Sequence, residues 1–144
     1  MLVKEITYTD FNGEERTEKF YFNMTKTELA ELDIETGGVL VQKLTRMLEK
    51  QDVAGIAKFF KDIIVKSYGE KSDDGRFFYK GENHEVGKKF TFSPAFDKMF
   101  VELLSDSTGE EYKSFLMGIV PSDIAEQAKE NASPKLVVGD ENNV

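Results

Sequence analysis

His84 is the chain's one histidine. An imidazole is the usual general acid or base near neutral pH. Here it stands in a polar stretch, where a solitary histidine is most often simply solvated. Paired-histidine metal motifs cannot be built from one ring. Asp73-Asp74-Gly75 resembles part of a calcium loop. With Gly75 as the sixth position, Glu70, Ser72 and Asp74 take positions one, three and five. The twelfth position is then Gly81, where a bidentate glutamate is required. A turn is the better reading. Gly81 and Gly87-Lys88-Lys89 approach a phosphate loop, but the glycines stand one residue too far apart, and no Ser or Thr follows the lysine. Neither G-x-S-x-G nor G-x-G-x-x-G occurs. The carboxylate pairs Glu14-Glu15, Asp73-Asp74 and Glu110-Glu111 fall at turns or helix starts, where solvation or the helix dipole accounts for them. With no cysteine there is no thiol nucleophile, thiolate zinc site or disulfide. The expectation is no catalytic, metal or cofactor-binding residue.

What remains is apolar surface. Phe59 and Phe60 are adjacent, so on a helix they point about 100° apart. Phe77, Phe78 and Tyr79 form an aromatic strip in a polar region. Phe96 and Phe100 share a helical face with Met99, Leu103 and Leu104. The ordinary fate of any one of these side chains is burial. Together they exceed what a few short helices need, and a partner helix or a second copy of the chain would use the excess. Phe59, Phe60, Phe77, Phe78, Tyr79, Phe96 and Phe100 are the candidate partner-binding residues.

The elements that would carry them begin with a hairpin. Residues 2–9 and 15–22 are β-branched and aromatic, with polar alternation. A three-residue loop Phe11-Asn12-Gly13, with Gly13 left-handed, gives a type I turn with a bulge. That register sets Leu2 opposite Phe22, Lys4 opposite Phe20 and Glu5 opposite Lys19. Two strands alone are marginal, so the hairpin must pack on helices or on another sheet. Thr25 and Glu28 have capping-box spacing before a first helix with Leu29 and Leu32 inward. Gly37-Gly38 ends or bends it, and a second helix of about 39–50 carries Leu40, Leu44, Met47 and Leu48. Asp52 caps a third helix of about 53–68, with Ile56, Phe60, Ile63 and Ile64 inward. Gly69 follows where a left-handed C-terminal glycine belongs. Residues 70–91 read as a long polar connection, with 76–80 a short strand or an extended aromatic strip.

The stretch Phe90–Pro121 reads as two short core helices. Ser93-Pro94 starts the first, Thr108 and Glu111 have capping-box spacing at the second, and Gly118 and Pro121 close it. Ser122 opens a short helix of about 122–130. The predicted fold is α+β: an N-terminal β-hairpin, then a mainly helical bundle of about five helices. It forms one domain over 1–130 (hairpin 2–22, helices about 26–130), followed by a flexible, disordered C-terminal tail over 131–144. Leu136-Val137-Val138 is a candidate docking strip within that tail.

The chain has 144 residues and a net charge of −8, with 40% hydrophobic residues, enough for a core without staples. Its lysines are interleaved with Asp and Glu and form no basic cluster, so nucleic acid is not an expected partner. The N-terminus does not read as a signal peptide, and no apolar run approaches bilayer length. A cytosolic protein with no membrane contact is expected.

The order of these segments resembles a family of small proteins of tailed bacteriophages with long non-contractile tails, the tail assembly chaperones. The resemblance rests on ITYTDFNGEERTEKFYFNMTKTEL, FFKDIIVKSYGEKSDDGRFF, FSPAFDKMFVELLSDS and FLMGIVP, spanning most of residues 5–121. The segments GENHEVGKKF and the tail after Ala128 depart from it. The resemblance implies a protein that is not an enzyme. It would coat the largely helical tape measure protein and keep it soluble until tail-tube subunits polymerise and displace it. The tail-tube protein and further copies of the chain are additional candidate partners. The host bacterial cytoplasm is the implied location, with no place in the mature virion. Two other readings stand beside it: a structural or adaptor protein whose hairpin extends a neighbouring sheet, and an acidic inhibitor of a host DNA-binding or nuclease system.

Overall fold

A computed structural model of the chain describes residues 1–35, 42, 46, 47 and 49–123. The expected turn at Gly37-Gly38, most of the 39–50 helix (Leu40, Leu44 and Leu48 included), residues 124–130 of the last helix and the 131–144 tail with its Leu136–Val138 strip lie outside the described residues. Gln42, Arg46, Met47 and Glu49 are helical.

Strands β1 (Leu2–Thr9) and β2 (Glu15–Phe22) pair antiparallel with Leu2 opposite Phe22, Lys4 opposite Phe20 and Glu5 opposite Lys19, in the expected register. Gly13 has φ +82°, and its N–H donates to the Asp10 carbonyl at 3.0 Å while Asp10 N–H donates to the Glu14 carbonyl at 2.8 Å. The bulged turn is thereby formed. The Asp10 carboxylate tightens it, accepting from the N–H groups of Asn12 and Glu14 at 2.8 and 2.9 Å and from Arg16 Nε at 2.6 Å.

Helix α1 (Lys26–Glu35) opens on the reciprocal capping box: Thr25 N–H donates to Glu28 Oε1 at 2.8 Å, and Glu28 N–H to Thr25 Oγ1 at 3.1 Å. Helix α2 (Val53–Ser67) is capped by Asp52, which accepts from Gly55 N–H at 3.0 Å. It buries Ile56, Phe60, Ile63, Ile64 and Ser67 along one stripe.

The hairpin is half of a larger sheet. Among the described residues the sheet has four antiparallel strands in the order β1-β2-β3-β4, with β3 at Tyr68–Lys71 and β4 at Phe78–Tyr79. This corrects the expectation that Gly69 is a left-handed helix terminator. Tyr68 ends α2 in extended geometry, φ −71° and ψ 140°, and the chain runs directly into β3. Gly69 is required for a different reason. A Cβ there would lie 2.6 Å from the Phe78 ring, which covers the backbone.

The 70–91 connection is also more ordered than its polarity implies. It makes a tight turn at Ser72–Gly75 with Gly75 at φ +77°, then β4, a 3-10 turn at Glu82–His84 and a short helix α3 (Glu85–Phe90). Six residues do not reveal a helical period, so α3 was invisible in the pattern. Lys80 fastens this segment. Its ammonium is largely buried and donates to the Asn23 carbonyl, the Lys66 carbonyl and Glu28 Oε2, each at 2.7 Å. Burial pushes its pKa below the ordinary lysine range, against the pull of Glu28.

Helix α4 (Pro94–Ser105) starts on Ser93, whose Oγ accepts from Phe96 N–H at 3.2 Å, with Pro94 at the first position. Helix α5 (Glu110–Ile119) follows. Its start is not the Thr108–Glu111 box. Asp106 performs the cap, accepting from Thr108 Oγ1 at 2.6 Å, Glu111 N–H at 2.8 Å and Thr108 N–H at 3.0 Å, with Gly109 left-handed at φ +79°. The core unites the inward face of the sheet (Ile6, Phe22) with Phe60, Ile64, Phe90, Phe96, Met99, Leu103, Tyr112, Phe115 and Ile119. The hairpin therefore packs on helices of its own chain.

Two measurements follow. Asp10, Asp74 and Asp106 each sit in a turn closed by a left-handed glycine, and each carboxyl is held below its ordinary value. The chief causes are the Arg16 bond at Asp10, the Arg76 N–H at Asp74 and the Thr108 hydroxyl at Asp106. The folded state thus favours the ionised form. This contribution is present above the unfolded value near 3.8 and is lost as pH falls through the lower folded-state values. Urea unfolding should show stability falling below that point, with a shallower acid limb when all three are changed to Asn. Lys80→Met, which strands Glu28 and two carbonyls, should lower stability by about 2–3 kcal/mol in the same assay.

Candidate partner-binding groove

Adjacent residues on α2 meet opposite environments. Phe60 is fully buried and lies against Tyr112, ring centroids 4.5 Å apart. Phe59, about 100° around the helix, packs edge-on against Phe60 at 5.3 Å and turns outward to line a groove of about 810 Å³. Gly55, Lys58, Phe59, Asp62 and Val65 supply its α2 wall, at the i, i+3, i+4, i+7, i+10 spacing of one helical stripe. Leu32 of α1, Met47, Lys50 and Asp52, and Lys88 of α3, join the lining. Leu32, Met47, Phe59 and Val65 make the floor apolar.

The rim is basic. Arg46, Lys50, Lys58, Lys61 and Lys88 all line the groove and are all exposed. None forms an ion pair among the described residues. The two acids in the lining are already committed: Asp52 caps α2, and Asp62 pairs with Lys66 at 3.1 Å. The sequence shows no basic cluster, yet folding makes one. Lys58 and Lys61 flank Phe59 on a single helix and were in principle legible. Lys88 arrives only because α3 lies directly on α2 at Gly87, where a Cβ would stand 1.9 Å from the Val65 carbonyl oxygen.

The other candidate residues go elsewhere. Phe77 and Tyr79 are 65% and 57% exposed on the β3–β4 hairpin, with the Arg76 guanidinium 5.4 Å from the Phe77 ring. Phe78 is half-buried over Gly69. Phe96 is buried, and Phe100, half-buried, stacks on it at 5.2 Å. None of these lines the groove. His84 occupies a left-handed turn at φ 60°, and its Nδ1 is buried without a hydrogen-bond partner. Among the described residues no group of three or more His, Asp or Glu could hold a metal ion, and no helix is long and apolar enough to cross a membrane.

A family model described as phage tail assembly chaperone matches residues 1–143. The chain belongs to that family. No curated protein and no solved structure matches it. As a tail assembly chaperone it has protein partners in tail assembly, and a groove with an apolar floor is the kind of surface that recognises a protein segment rather than a small polar substrate.

The contact at Gly87 makes the groove testable as a built feature. Gly87→Ala must part α3 from α2, since the obstructing atom is backbone. Urea unfolding should show a loss of about 1–3 kcal/mol, with α3 and Lys88 displaced from the groove.

Proposed function

We propose that the protein acts without chemistry of its own, binding the phage tape measure protein and keeping it soluble in the host cytoplasm until tail-tube subunits polymerise and replace it. The family match across nearly the whole chain carries this reading. The groove beside Phe59 supports it physically. A long helical partner exposes apolar stripes that aggregate unless covered. Many copies, each contributing one modest contact, would cover such a partner with high avidity while every copy remains displaceable. An acidic chain of net charge −8 keeps the resulting complex dispersed.

The alternative in which β1 extends a neighbour's sheet has less support. Asp10 N–H donates to the Glu14 carbonyl and the Asp10 carbonyl accepts from Gly13 N–H, so the backbone groups of Asp10 face β2 and those of Thr7, three residues back, point to the outer edge. Lys98 Nζ of α4 donates to that Thr7 carbonyl, so an acceptor an incoming strand would need is already engaged and covered by a helix side chain. Co-expression decides between the readings. The tape measure protein produced with this chain should stay soluble and be recovered with it on affinity capture. A tape measure protein that remains insoluble, with no complex captured, contradicts the proposal.

A further inference from the structure

We infer that the groove beside Phe59 holds an amphipathic helix whose apolar stripe is flanked by carboxylates. Two independent features set this occupant. The floor of Leu32, Met47, Phe59 and Val65 asks for apolar side chains, which a helix delivers at i, i+3 or i+4 and i+7. The rim carries positive charge that no ion pair among the described residues uses. Asp52 and Asp62 are consumed by the α2 cap and by Lys66. The chain holds 27 acidic against 19 basic residues, so five rim cations with no ion pair among the described residues are the opposite of what its composition favours.

Charge complementarity thus specifies acidic flanks, and like charge would repel a basic helix. A nucleic acid would satisfy the rim but leave the apolar floor unmatched, and it would meet a chain of net charge −8. The occupant's identity as a tape measure segment rests on the proposed function. Its chemistry does not.

The test uses the full-length protein and two synthetic helical peptides of equal length, with Leu at heptad positions a and d and either Glu or Lys at e and g. Binding is read by fluorescence anisotropy of labelled peptide at low and high salt. The Glu peptide should bind at least about tenfold tighter than the Lys peptide, the gap shrinking at high salt. The combined variant Lys58→Glu, Lys61→Glu, Lys88→Glu changes only exposed side chains and should reverse the preference. Wild-type salt and peptide comparisons decide the matter even where that variant does not fold. Equal binding of the two peptides, or of neither, overturns the inference. Displacement of the Glu peptide by a short DNA duplex overturns it in favour of a general polyanion site. A wild-type dimer that the charge reversal dissociates assigns the groove to a second copy instead. The co-expression assay separates the two proposals. If wild type solubilises the tape measure protein and the folded charge-reversed variant does so equally well, the groove inference falls and the function stands. If wild type fails there while the peptide preference holds, the function falls and the groove inference stands.

Discussion

Phe22 is wholly excluded from water, and its ring meets Tyr68 at 5.5 Å, Phe90 at 5.8 Å and Phe115 at 5.4 Å. Phe90 in turn stacks flat on Tyr68 at 4.2 Å and reaches Phe20 and Phe96 at 5.3 and 5.8 Å. Burial pushes the Tyr68 phenol up to about 12. This one aromatic cluster joins β2, β3, α3, α4 and α5, which are far apart in sequence. Aromatic pairs in such tilted and edge-on arrangements add about 0.5–1.5 kcal/mol each beyond the burial of their area. The chain leaving β2 is then tied by backbone on both sides: Asn23 N–H donates to the Ser67 carbonyl at 2.8 Å, and Met24 N–H to the Ile119 carbonyl at 2.7 Å. The ends of α2 and α5 are therefore fixed at the point where the sheet ends.

That arrangement leaves α2 with two roles. Its inner stripe completes the core, and the stripe one residue away forms the wall of the groove. The two roles share a single rigid element, so the outer stripe is held by the packing of the inner one. Phe59 leans on Phe60, and Val65 lies between the buried Ile64 and the Gly87 contact. A groove built this way presents a preformed surface, which lowers the ordering cost of each partner contact. It suits the proposed role of binding, shielding and then releasing a partner.

Much of this was legible in the chain. The bulged Asp10–Gly13 turn fixed the hairpin register, and Thr25–Glu28, Asp52 and Ser93-Pro94 marked their helix starts, because caps and turns are local chemistry. The family was legible too, through the order of its segments. What stayed hidden depends on distant contacts. Gly69 has the sequence context of a helix terminator, and only the Phe78 ring, nine residues on, shows why a strand needs glycine there. Asp106 outcompeted Thr108 as the α5 cap because its carboxylate reaches Glu111 N–H across the left-handed Gly109. The basic rim was missed because lysines interleaved with acids look neutral in one dimension. The two acids beside them in the groove, Asp52 and Asp62, cap α2 and pair with Lys66. Adjacent Phe59 and Phe60 were one candidate pair in the sequence. The fold sends one to the core and the other to the groove.

Under the proposed function, the outer stripe of α2 is where the chain would meet the tape measure protein. Hydrogen exchange of the co-expressed complex against the free protein tests it most directly. The account predicts new protection in α2 around Lys58–Asp62 and in the α3 segment at Lys88, with little change along β1. Protection confined to β1 or to the β3–β4 hairpin, with α2 exchanging as in the free protein, would contradict it.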